Sequence, residues 1–118
     1  AKVKAGIKAV IRHPDHVFYL VAELNGRVEG SLLVTREWSD WRNGVFWWIQ
    51  SVYVPPEFRK RGIYRALYDA VKARAKSNPE VCGFRLYVAK SNRAAMSVYS
   101  KLGMSETEYR IYEESVWE

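Results

Sequence analysis

One cysteine, Cys82, stands in 118 residues. No internal disulfide can brace the chain, and a reducing cytoplasm is the expected compartment. Histidine is nearly as scarce. His13 and His16 flank Pro14 with no cysteine or carboxylate spacing beside them, so they read as structural, and no metal site is expected. No apolar run reaches the length of a membrane span, and no secretory leader pattern is read at the start, so neither membrane nor export is expected. Internal repeats, low-complexity tracts and linkers are lacking, and a single domain over residues 1–118 is expected.

Apolar and charged residues are in ordinary supply. They make up 48% and 27% of the chain, which excludes a disordered tail. A chain of this length buries roughly two-thirds of its unfolded surface and needs no staple. Lys and Arg outnumber Asp and Glu by 19 to 13, a net charge of +6, which points to an anionic partner. Nucleic acid and a phosphate-rich small ligand both answer to that description. Where the charge concentrates decides between them.

The pattern predicts a basic amphipathic helix over residues 2–12, with Val3, Ile7, Val10 and Ile11 at helical spacing and Pro14 ending it. Residues 17–24 and 28–36 read as a hairpin of strands around Asn25 and Gly26, two residues that tolerate positive φ. Residues 45–54 form a third strand, apolar on both faces and so central. Ile63, Ala66, Leu67, Ala70 and Val71 mark one helical face. Phe84, Leu86 and Val88 alternate with Arg85 and Tyr87 as a strand. Ala95, Val98, Tyr99 and Leu102 stripe a second helix, with Ser91 or Asn92 at its start and Gly103 past its end. Residues 105–113 are expected to form a last strand. The class is mixed α/β: antiparallel strands first, then strand, helix, strand, helix and strand. Cys82 reads as a small buried hydrophobe.

The chemistry concentrates where the central strand runs through Pro55 and Pro56 into a basic turn and then a helix. The first N–H groups of a helix have no partner within it, and its dipole favours an anion. Gly62 lets the backbone come close to such a ligand. Arg59, Lys60, Arg61 and Arg65 surround the same point. Together they describe a pyrophosphate cradle, although neither GxxxxGK[ST] nor GxGxxG is present.

Arg59-x-x-Gly62-x-Tyr64 resembles the Q/R-x-x-G-x-G/A signature of the GNAT superfamily of acyl-CoA-dependent N-acyltransferases. Downstream, Leu86, Tyr87 and Val88, then Asn92, Ala95, Tyr99, Leu102, Gly103 and Met104, keep that family's N-x-x-A-x-x-x-Y-x-x-x-G spacing. The resemblance runs from about residue 16 to the end of the chain. Within the superfamily, Trp48 to Val54 is similar to the diamine (spermidine/spermine-type) acetyltransferases, which are cytoplasmic dimers.

The resemblance implies acetyl-CoA as co-substrate and acetyl transfer to a primary amine of a small molecule by direct attack. Val52, Tyr53 and Val54 would run beside the pantetheine arm. Backbone groups over Arg61, Gly62, Ile63, Tyr64 and Arg65, with Arg59 and Lys60, would hold the pyrophosphate. Asn92 would contact pantetheine, or serve as a plain helix cap. Tyr99 would protonate the departing thiolate; read without the family, a tyrosine there is more often a core residue than a catalytic acid. A homodimer is expected, with neither nucleic acid nor membrane as partner.

This chain departs from the family pattern at three points. Tyr64 stands where the family has Gly or Ala, and it must either crowd the pyrophosphate or turn away and stack. Gln50 stands where the diamine-type enzymes carry a glutamate. It cannot accept a proton, so it would orient a water leading to Glu37, Asp40 or solvent. The usual first strand and helix are expected to be absent. Glu37, Trp38, Asp40 and Trp48 are candidates for an acidic, aromatic acceptor site, with Asp40 equally readable as a turn residue. Of Trp47 and Trp48, which point to opposite faces of a strand, at most one is expected to line the pocket. Two rival readings stand beside this one: a truncated domain of the same family that binds CoA without turnover, and a basic nucleic-acid-binding module.

Overall fold

The computed structural model describes residues 5–13 and 17–117. Strand β1 (Ala5–His13) comes first, followed by β2 (Val17–Leu24), β3 (Arg27–Ser39) and β4 (Gly44–Tyr53). A short 3-10 turn, Pro56–Phe58, leads to helix α1 (Ile63–Ala75). Strand β5 (Val81–Leu86) and helix α2 (Arg93–Lys101) follow. The strands lie in the order β1-β2-β3-β4-β5. The first three pairings are antiparallel and β4 pairs with β5 in parallel. The expected mixed α/β class is what forms. Residues 1–87 and 88–118 make two compact units. Neither helix is long and apolar enough to cross a membrane.

Two expected elements are corrected. Residues 5–13 form a strand and not a helix, so a strand leads the sheet after all. Its register sets Ile7 opposite Ala22 and Ala9 opposite Leu20. The reason is visible in hindsight: Ala5, Ile7, Ala9 and Ile11 also alternate, and a period of two competes with a period of 3.6 over so short a run. The last strand, expected over 105–113, is also not found; the chain from Met104 to Trp117 is irregular. Strand propensity alone does not form a strand, because pairing and packing supply most of its stability. Cys82 is exposed rather than buried. His16 lies outside the described residues.

In the first unit, α1 covers one face of the sheet. Leu20, Leu32, Val34, Trp47 and Ile49 of the sheet and Ile63, Leu67, Tyr68 and Val71 of α1 are all buried. The apolar spacing along α1 accounts for this, since its buried residues fall on one stripe. Gly30 sets how closely the layers approach: a Cβ there would lie 2.7 Å from Ile63 Cγ2. Trp47 sits edge-on to Phe18, with centroids 5.2 Å apart. The opposite face carries Thr35, Glu37, Phe46, Trp48, Gln50 and Arg85, as the cross-strand register requires.

Candidate active site

Three features meet around the C-terminal half of β4. The first is a bulge. Leu33 pairs with Gln50 and Ser31 with Tyr53, so β4 supplies two residues where β3 supplies one. Ser51 takes the strain, with φ of 51°. A bulge bends the strand and frees backbone groups from the ladder.

The second feature is a fork. The parallel ladder ends at the pair Ile49 and Leu86, while β4 runs on to Tyr53. Val52 and Tyr53 are exposed there.

The third feature is the turn into α1. Gly62 caps the helix at φ 81° with no side-chain cap. The first backbone bond of the helix joins Ala66 N–H to the Gly62 carbonyl. The N–H groups of Ile63, Tyr64 and Arg65 thus end a helix whose dipole attracts an anion. A Cβ on Gly62 would meet nothing within 4 Å, so glycine is used there for its φ and for open approach. Lys60 also takes positive φ, 62°.

The cations of the turn are not equivalent. Arg59 Nε donates to the Val54 carbonyl at 3.0 Å and so ties the turn back to the end of the strand. The Arg61 guanidinium stands over the Phe58 ring, 5.5 Å from its centroid. Tyr64 stacks on Tyr68 one turn along α1, with centroids 6.1 Å apart and planes 11° from parallel. Of its two expected placements, the stacked one is found.

The acceptor candidates divide. Glu37 and Trp48 are brought together: Trp48 Nε1 donates to Glu37 Oε1 at 3.0 Å. Arg85 donates to the same oxygen at 2.8 Å. Gln50 Nε2 donates to Thr35 Oγ1 at 2.8 Å on that face. Trp38 pairs with Val45 and so belongs to the other side of the sheet. Asp40 lies at the tip of the β3–β4 hairpin, where its carbonyl accepts from Asn43 N–H. It is the turn residue that one reading expected. Trp48 rather than Trp47 faces away from α1, and its ring meets Tyr87 at 4.5 Å.

In the second unit, Asn92 caps α2, its Oδ1 accepting from Ala95 N–H at 3.1 Å. Tyr99 is half-buried on α2, and that burial raises its phenol above the ordinary value of 10.0. Tyr68 is raised as well, by burial first and by Asp69 second.

Residues 4–104 match the model of the acetyltransferase (GNAT) family. The chain belongs to that family. Among solved structures, this GNAT enzyme is similar to a possible acetyltransferase from Clostridium difficile 630. The two are 41% identical with a TM-score of 0.77, over 87% of this chain and 68% of that one. It is also similar to the aminoglycoside N-acetyltransferase AAC(6')-Iy in complex with CoA: 26% identical, TM-score 0.72, over 86% of this chain and 77% of the other. An aminoglycoside acetyltransferase from an uncultured soil metagenomic sample shares the fold at 21% identity and a TM-score of 0.74, over 86% of this chain and 67% of that one. No curated protein matches the chain. The GNAT chain is an acetyl-CoA-dependent N-acetyltransferase.

Four residues of this region escape the sequence reading. Arg85 had a signal, being a charge inside an otherwise apolar strand. Tyr87 follows it in the alternation. Thr35 and Ser51 had none, because a cross-strand hydrogen bond and a bulge depend on register, which a single strand does not encode.

Proposed function

We infer that this enzyme moves the acetyl group of acetyl-CoA to a primary amine of a small molecule, on the sheet face that carries Gln50 and Trp48. The observation that carries the reading is the bulged, forked end of β4 followed directly by the uncapped N-terminus of α1. The extended edge at Val52, Tyr53 and Val54 suits an amide-bearing arm, which can add to a sheet like a strand. The helix N-terminus over Gly62, Ile63, Tyr64 and Arg65, with Lys60 and Arg61 beside it, suits a pyrophosphate. Arg59 reaches this site through Val54, as a brace for the turn.

Acetyl-CoA supplies a thioester. The neutral amine attacks its carbonyl carbon, the C–S bond breaks, and the thiolate takes a proton. Backbone N–H groups at the Ser51 bulge are the candidates to polarise the carbonyl. Tyr99 is the candidate acid, because its phenol holds its proton through neutral pH. Gln50 is the candidate to orient the amine or a water, and the family spacing makes Asn92 a candidate for the pantetheine arm. Before attack the ammonium gives one proton to water, because the Gln50 amide cannot take it. As the C–N bond forms the nitrogen sheds a second proton to solvent, which balances the one Tyr99 gives the thiolate and later regains from solvent.

Three acceptor classes are the first to test: diamines, from the strand pattern over Trp48 to Val54; amino sugars, from the aminoglycoside acetyltransferases of similar fold; and amines of a single charge, because Arg85 already pairs the Glu37 carboxylate on this face. The catalyst is proposed to act as a cytoplasmic homodimer of single-domain chains. An amine screen that follows CoA release with a thiol reagent tests the reaction. CoA release that depends on both acetyl-CoA and amine supports the reading. Acetyl-CoA binding with no release for any amine would contradict it and favour a CoA-binding domain without turnover.

A further inference from the structure

Arg85 enters β5 at a telling place. Its register partner is Trp48, and the next pair, Ile49 with Leu86, is the last before the strands part. From there the side chain turns back across β4. Its guanidinium lies 3.6 Å from the centroid of the Phe46 ring and reaches Glu37 on β3 at 2.8 Å. Gly83 makes the room: a Cβ there would stand 2.8 Å from Phe46 Cε1. The Glu37 oxygen that receives Arg85 also receives Trp48 Nε1. Trp48 in turn meets the ring of Tyr87. One cation thus ties three strands at the base of the fork. The side chains of Arg85 and Glu37 are 27% and 44% exposed, so the pair borders the face and is not sealed inside it.

The consequence is electrostatic. Glu37 without Arg85 would be an anion on the face that carries Gln50, and it would draw any acceptor with a second positive charge. With Arg85 on it, the pair carries no net charge and Oε1 is taken by two donors. What remains beside Gln50 is aromatic surface, Trp48 against Tyr87, which favours a flat or apolar body bearing a single ammonium.

We propose that Arg85 sets the charge specificity of the acceptor site: by neutralising Glu37 it selects amines with one positive charge over those with two. The assignment rests on the acyl-transfer reading of this face given above. It is a case of specificity by withholding an attraction from the competitor.

The test uses two acceptors that differ only in the second charge, pentylamine and 1,5-diaminopentane. Their kcat/KM ratio is measured for the wild type and for Arg85→Met, Arg85→Lys, Glu37→Gln and the double variant Arg85→Met with Glu37→Gln. The wild type should favour pentylamine. Arg85→Met should shift the ratio toward the diamine by about tenfold, the worth of one charged hydrogen bond. The double variant should bring the ratio back, because the freed carboxylate is gone. Glu37→Gln alone should move it the other way, since it leaves Arg85 unpaired. Arg85→Lys should keep the wild-type ratio.

Acetyl-CoA affinity should be the same in every variant, and a thermal melt of each shows that it is folded. Should Arg85→Met misfold, Glu37→Gln still decides the matter by the sign of its shift, with Arg85→Lys as the control that should leave the ratio unmoved. Turnover with a ratio that ignores all four changes would overturn the role of Arg85 and leave the acetyltransferase reading standing. Turnover of no amine at all would remove that reading and the role of Arg85 with it.

Discussion

Gln50 and Thr35 lie on neighbouring strands, and the Gln50 amide donates to the Thr35 hydroxyl at 2.8 Å. The bond fixes a side chain that cannot titrate at the point where the proposed acceptor, an ammonium, would lose its proton. Thr35→Val keeps the shape and removes the acceptor. It should cost about 1 kcal/mol of stability and lower kcat, while acetyl-CoA affinity holds. Gln50→Glu should add a carboxylate limb to the pH–rate profile on its acidic side. The wild-type profile should follow the amine's own neutral fraction and show no such limb. Steady-state kinetics against pH check both.

Tyr99 carries the proposed proton transfer. Tyr99→Phe should lower kcat by about 100-fold or more, the lower range for a positioned acid, with acetyl-CoA affinity nearly intact. Burial raises the phenol above 10.0, so the wild type should keep its acid until the pH passes 10. The sign for stability follows from the same shift. A proton held more tightly in the folded state contributes constantly below the unfolded pKa, and stability falls as pH rises beyond it. Single-turnover rates in Tyr99→Phe settle the role, and an unchanged rate would remove it.

Gly62 holds φ of 81° in open space. Gly62→Ala therefore meets no clash, and its cost is the backbone's own, about 1–2 kcal/mol for a left-handed residue. Tm should drop by several degrees. Acetyl-CoA affinity should fall by more than that strain explains, because the added methyl stands where an anion approaches the helix N-terminus. Calorimetry and thermal melts on one preparation separate the two effects.

Gly30 marks where β3 and α1 nearly touch. Gly30→Ala places a methyl 2.7 Å from Ile63 Cγ2 and should cost about 1–3 kcal/mol by overpacking. The cost should shrink in an Ile63→Ala background, where the opposing methyl is gone. Denaturant unfolding of the four proteins in the cycle measures the coupling.

How much of this could be read from the chain depends on how local each signal is. The hairpin at Asn25 and Gly26, the stripe on α1 and the cap at Asn92 are written in neighbouring residues, and all of them form. The tight turn at Gly62 is legible because glycine and cations cluster within a few positions. The segment 5–13 suits a helix as well as the strand it forms, because its apolar residues fit two periods at once. The segment 105–113 has a strand's composition and forms none, because pairing is not a local property. Trp38 and Trp48 were grouped by type, and only the register shows that they serve opposite faces. The Glu37–Arg85 pair joins residues far apart in the chain, across three strands, and no local pattern announces it.

The central claim is that the turn from β4 into α1 binds acetyl-CoA. Calorimetric titration of acetyl-CoA into the protein tests it most directly, with CoA and a short DNA oligomer as comparisons. The account predicts saturable one-to-one binding that Gly62→Ala weakens and moderate salt leaves in place. Absence of saturable binding, or preference for the oligomer with an affinity that collapses as salt rises, would contradict it.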